Sequence, residues 1–113
     1  MDVVAEIITY LKQTLTVPVS SEVPATHPAR FVTVGRIGGA DVELLSTPRV
    51  DIDTWGTSDL DASTIGETVK DAMFALMHTS GLISDVYRSS YYRSDVDGYH
   101  RYTGTYEITR NID

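Results

Sequence analysis

Asp51 and Asp53 sit two residues apart in the run Val50-Asp51-Ile52-Asp53-Thr54. Side chains alternate along a strand, so both carboxylates project from one face. Such a pair could hold a divalent cation such as Mg²⁺ or divide acid–base work between them. The same composition also suits the solvated outer face of a half-buried sheet. Two carboxylates without further ligands make a poor catalytic site. A small metal-dependent enzyme using Asp51 and Asp53 is therefore a remote reading.

Other candidate chemistry is sparse. Asp95-x-Asp97-Gly98 resembles a fragment of a calcium loop, but the closing glutamate and remaining ligands are missing, which leaves a turn. His27, His78 and His100 are too far apart in sequence for helical or strand ligand spacing. His78 has a simpler role as a favourable cation at a helix C-terminus. No serine lies in a nucleophile elbow. Gly35-x-x-Gly38-Gly39 lacks the spacing and the following helix of a nucleotide loop. No catalytic, metal or cofactor residue is expected, and the chain reads as a non-enzyme.

Tyrosine and arginine are more suggestive. Tyr87, Tyr91, Tyr92, Tyr99, Tyr102 and Tyr106 fall in the last third, interleaved with Arg88, Arg93, Arg101 and Arg110. Stacked bases on a nucleic acid could use such a surface. So could a protein partner, because Tyr and Arg are enriched at interfaces. Ordinary strand composition explains it too. The formal charge of −7, with Lys12 and Lys70 the only lysines, argues against free-standing nucleic-acid binding.

These residues need a scaffold. A chain of 113 residues with 42% apolar content fits one domain, spanning 1–113, around a single core. It has no cysteine, so neither a disulfide framework nor a thiolate metal site is available. The acidic, amphipathic N-terminus lacks the basic and apolar regions of a secretory signal, and no apolar run approaches the ~18–20 residues of a membrane span. The default expectation is a cytoplasmic protein with no membrane partner.

Residues 2–15 predict a helix with Val3, Val4, Ile7, Ile8, Leu11 and Leu15 in one apolar stripe. Pro18, Pro24 and Pro28 end helix through residue 28, leaving an extended segment anchored by Val17, Val19 and Val23. Residues 30–37 predict a strand, 40–47 a connection, and Pro48 opens a second strand. Val50, Ile52 and Thr54 share one face of it; Asp51, Asp53 and Trp55 share the other. Ser58-x-x-Asp61 opens a second helix, over 58–78, with Ala62, Ile65, Val69, Ala72, Met73 and Leu76 inward. Trp55 is expected as a core anchor beneath it. Gly66 costs about 1 kcal/mol against alanine mid-helix, which a close crossing over the sheet would explain.

Asp97-Gly98 predicts a two-residue hairpin turn. Setting Val96 opposite Tyr99 places Tyr91 opposite Gly104, Ser90 opposite Thr105 and Tyr92 opposite Thr103. The same register puts Ser89 opposite Tyr106, Arg88 opposite Glu107, Tyr87 opposite Ile108 and Asp85 opposite Arg110. The whole predicts an α+β domain with two main helices packed on one face of a mixed or antiparallel sheet of about four strands.

This pattern resembles the tail terminator (tail completion, or head–tail joining) proteins of long-tailed, non-contractile bacteriophages. The likeness covers most of the chain. It includes the N-terminal helix, the prolines before the first strand, and Arg30–Gly39 ending in a glycine pair. Pro48-Arg49-Val50-x-Ile52-x-x-Trp55, the helix of residues 58–78 and the closing tyrosine-rich hairpin complete it. The polar tip at Ser94–His100 is peculiar to this chain. The resemblance implies a six-fold ring that caps the head-proximal end of the tail tube. The ring would stop tube polymerisation and offer the surface that joins the head. It implies no catalytic residue and no cofactor. The implied partners are further copies of the chain, the tail tube protein and a head–tail connector or neck protein, with DNA passing through unbound. The implied location is the virion tail, and the host cytoplasm during assembly. Another connector component, a neck or stopper protein, is the nearest rival.

Exposure and composition nominate the 38–48 loop, with Gly38 and Gly39 in it and Arg36 and Arg49 at its base, and Tyr92, Arg93 and Arg101 near the tip of the closing hairpin, as subunit or tube contacts. Acids at Asp41, Glu43, Asp51 and Asp53 could line a channel that phosphate does not adhere to, or equally face outward.

Overall fold

In the computed structural model, residues 2–42, 45–81 and 83–111 are described. Helix α1 spans Val3–Thr14, and Asp2 caps it by accepting a hydrogen bond from the Val4 N–H at 3.2 Å. A two-residue strand, β1 (Val19–Ser20), follows the first proline. Strands β2 (Phe31–Val42) and β3 (Leu45–Gly56) form a long hairpin. Helix α2 (Asp59–Thr79) leads to the second hairpin, β4 (Ile83–Arg93) and β5 (His100–Asn111). The sheet order is β1-β2-β3-β5-β4, with β1 parallel to β2 and every other pair antiparallel.

Alternation decides which face is dry. Val32, Val34, Val50, Ile52, Val86, Tyr106 and Ile108 are buried on one sheet face. Val3, Ile7 and Leu11 of α1 and Ile65, Val69, Ala72, Met73 and Leu76 of α2 join them in one apolar cluster. Burying a side chain of the size of Ile7 or Leu11 stabilises by about 2 kcal/mol. Two cross-links fix the helices: the Tyr10 hydroxyl donates to the Ala72 carbonyl at 2.7 Å, and Arg110 of β5 pairs with Glu6 of α1 at 3.0 Å. The result is an open α+β fold, two helices against a mixed sheet of five strands.

Several expectations need correcting. The sheet gains β1, because Val19 is buried and pairs with Val32, while Val23, expected as an anchor, is 46% exposed. Residues 40–42 and 45–47, read as a connection, continue the β2–β3 ladder to Val42↔Leu45. Two glycines and a proline hid that continuation. The ladder absorbs them with a bulge between Arg36 and Gly38 and with a left-handed backbone at Gly39, φ +103°.

Trp55 is not beneath α2. Its parity puts it on the other face, stacked on Phe31 with ring centroids 4.9 Å apart. Thr54 occupies the helix side instead and donates from its hydroxyl to the Ala62 carbonyl at 3.0 Å.

The second hairpin has the expected turn, with Asp97 at φ 49° and Gly98 at φ 81°. The expected register holds from Val96↔Tyr99 to Ser90↔Thr105. Beyond it, extra residues between Arg88 and Ser90 and between Ile83 and Asp85 shift the pairing. Glu107 therefore faces Tyr87, Tyr106 faces Arg88, Ile108 faces Val86, and Arg110 faces Ile83. Arg88 turns to the helix side as a result, where it pairs with Glu67 at 3.6 Å and covers the Tyr91 ring at 4.1 Å.

Candidate interaction surfaces

The sheet face away from the helices is built in rungs that run across the strands. The first is Phe31–Trp55–Arg101, the second Thr33–Asp53–Thr103–Tyr92, the third Gly35–Asp51–Thr105–Ser90, and the fourth Gly38–Arg49–Glu107–Tyr87. Cross-strand partners share a face.

The polar tip of the second hairpin, with His27, covers the first rung and the Asp53–Thr103 part of the second. His27, from the proline-rich segment, stacks on Tyr99 with centroids 3.8 Å apart and meets Phe31 and Trp55 edge-on at 4.8 and 5.3 Å. Arg101 lies over the Trp55 ring at 5.1 Å and donates from Nε to the Ser94 carbonyl at 2.9 Å. Its Nη1 is 3.7 Å from Asp53. The hydroxyls of Ser94 and Thr103 are 2.6 Å apart.

Asp51 and Asp53 do share a face, as the alternation requires, but each is engaged by its cross-strand threonine. The Thr105 hydroxyl donates to Asp51 at 2.6 Å, and the Thr103 hydroxyl donates to Asp53 at 2.7 Å. Both acids are half-buried rather than fully solvated. Burial beneath the tip pushes the Asp53 carboxyl above its ordinary value, against the opposing pull of Thr103 and Arg101. Among the described residues, no group of three or more His, Asp or Glu side chains gathers as a metal site would require.

The nominated cations divide sharply. Arg36 holds Asp41 at 3.3 Å, and the Ser46 hydroxyl, with Arg36, holds that carboxyl below its usual range. Arg93 bridges Asp59 at 3.1 Å and Asp95 at 2.8 Å, tying the tip to the start of α2. The hydrogen bond from Arg93 is the main cause of the lowered Asp95 value. Arg101 is committed to Asp53 and Ser94. Arg49 is different: it is exposed and forms no ion pair with any described residue. Its guanidinium lies across Gly38, where an added Cβ would stand 3.0 Å from Nη2. The glycine pair thus has two separate uses. Gly38 seats the Arg49 side chain, and Gly39 lets the backbone pass against Thr47 and Pro48.

Arg49 also borders an open cleft of about 430 Å³ that includes Gly39, Thr47, Asp85, Tyr87 and Glu107. Tyr87 and Tyr92 are about half exposed, at 52% and 51%, on the same face. The structure thus brings Gly38, Gly39 and Arg49 together. It places Arg101 at the far end of the face, turns Arg93 to the helix side against Asp59, and sets Arg36 on its own ion pair. Sequence reasoning missed Tyr87 as a cleft residue because the bulge at Ser89 moves it to the outer face, where it replaces Arg88 opposite Glu107. Glu43 lies outside the described residues. Among those residues, no helix is long and apolar enough to cross a membrane.

No protein-family model matches this chain, and no curated protein matches it.

Proposed function

We propose that this chain is a structural subunit of a bacteriophage tail, a tail terminator that assembles as a hexameric ring on the head-proximal end of the tail tube. Its work is geometric. Copies associate head to tail until the rotation closes. One ring surface copies the contacts of the tube end, and the other offers the joining surface for the head.

One observation supports this reading above the others. The run from Gly38-Gly39 to Pro48-Arg49-Val50-x-Ile52-x-x-Trp55, which carries the sequence resemblance, falls in one antiparallel strand pair that buries Val50, Ile52 and Trp55 and leaves Gly39, Thr47 and Arg49 exposed. The carboxylates on that face are taken up by threonine hydroxyls and arginine. The rest of the domain is suited to presenting surfaces, since the helices cover one side of the sheet and leave the other to polar rungs. A strongly acidic ring would also let DNA pass without the phosphate neutralisation that drives non-specific binding.

Native mass spectrometry across a concentration series, paired with electron microscopy of labelled protein on isolated tails, tests this. A six-subunit species and label at one tube end are the expected results. Label confined to the portal side of the neck would move the protein to the rival connector role. Absence of label from tails and necks alike would sink both.

A further inference from the structure

Arginine pairing in this chain is nearly complete. Arg30 pairs with Asp61 at 3.1 Å, Arg36 with Asp41, Arg88 with Glu67, Arg93 with Asp59 and Asp95, Arg101 with Asp53, and Arg110 with Glu6. Arg49 is the one arginine that no described carboxylate reaches. Glu107 stands opposite it in the ladder, yet accepts the Tyr87 hydroxyl at 3.1 Å and lies beyond ion-pair distance of the guanidinium. The planar fork of Arg49 is therefore open to a carboxylate from outside, in the geometry that bidentate pairing uses.

We infer that Arg49 receives a carboxylate from a second copy of this chain, so that the cleft between the first hairpin and Tyr87 is the subunit–subunit contact. This rests on the ring reading above. Charge points to a second copy as the occupant. Each chain carries a formal −7, so copies repel until a cation on one meets an anion on the next. Anions are plentiful: Glu22, Asp71 and Asp97 are exposed and form no ion pair with a described residue. Free cations are scarce. Among the described residues only Lys12 on α1 joins Arg49 in lacking a carboxylate partner. Lys12 is a flexible point charge on a helix surface, whereas Arg49 is seated on Gly38 beside an open cleft.

The test is self-association of wild type, Arg49→Glu, Arg49→Lys and Gly38→Ala, followed by native mass spectrometry and sedimentation at rising salt. Circular dichroism checks each fold. Gly38→Ala leaves the charge in place but pushes the guanidinium off its seat, and only a flexible side-chain end has to move. The expected result is a ring in wild type that weakens with salt. Arg49→Glu should need at least about tenfold more protein to assemble, with Arg49→Lys and Gly38→Ala intermediate. Assembly of Arg49→Glu at the wild-type concentration overturns the inference and leaves the ring reading standing. A wild type that stays monomeric at the highest concentration also overturns the second-copy occupant. Labelled protein on isolated tails then decides the ring reading separately.

Discussion

The Tyr91 ring fills the space that a side chain on Gly66 would need. The Tyr91 hydroxyl donates to the Ser63 carbonyl at 3.2 Å, and a Cβ built on Gly66 would run into the hydroxyl oxygen and the ring edge. The same ring lies against Gly104 on β5, so one tyrosine links α2, β4 and β5 through two glycines.

That contact predicts a change of sign. Gly66→Ala gains about 1 kcal/mol of helix propensity and loses about 1–3 kcal/mol to overpacking. The net expectation in wild type is a loss, read as a lower urea midpoint. In a Tyr91→Ala background the clash is gone, and Gly66→Ala should stabilise. Equal effects in both backgrounds would show that Tyr91 does not exclude the side chain.

Asp53 predicts a pH dependence opposite to that of an ordinary paired carboxylate. Burial raises its folded-state value above the unfolded one. Below the unfolded value both states hold the neutral acid, and its contribution to stability is fully present. As pH rises through the folded value, the unfolded chain releases the proton more readily and stability is lost. Asp53→Asn should therefore gain on wild type between about pH 3 and about pH 7 in matched denaturant melts. A gap that is constant with pH would show that Asp53 is not buried under the tip.

The stack of His27 on Tyr99 predicts a local effect. Tyr99→Ala removes the ring that closes over the Trp55 cluster, at a cost of about 0.5–1.5 kcal/mol. Trp55, 5% exposed in wild type, should then emit at longer wavelength. Amide exchange should quicken in residues 21–30 and 94–100 while α1 and α2 keep their protection. An unshifted emission maximum would mean the tip does not shield the indole.

Ser58 accepts the Asp61 N–H at 3.0 Å, and Asp61 reaches back to the Thr57 N–H at 2.9 Å. Ser58→Ala should cost about 1 kcal/mol, and Ser58→Asp should recover most of it. Chemical denaturation measures both. Failure of aspartate to rescue would assign the loss to something other than the cap.

Much of the fold was legible because period and punctuation agreed. The α2 stripe from Ala62 to Leu76 is buried as its spacing requires, and Asp97-Gly98 forms the turn its residue types demand. Trp55 was also legible, since its parity with Asp51 and Asp53 already placed it away from the helices; size alone suggested otherwise. The bulges were not legible. Ser84 and Ser89 look like any strand serines, and an inserted residue leaves no mark in composition while it reverses every rung beyond it. The candidate site suffered most from this. Arg49 and Gly38 could be nominated from type, but the commitment of Arg93 to Asp59 and of Arg101 to Asp53 depends on tertiary proximity that spacing does not encode.

The strand order has a consequence for how the chain is made. β5 comes last of the elements yet sits between β3 and β4, where it supplies Tyr106 and Ile108 to the centre of the apolar cluster. While the polypeptide emerges from the ribosome, β1, β2, β3 and α2 appear first, and the β3 edge has nothing to pair with. The β4–β5 hairpin must then dock as a unit, β5 foremost, to close the sheet. Nascent chains therefore carry an adhesive strand edge until β5 has emerged, a window in which a holdase or a rapid elongation rate would protect them from one another.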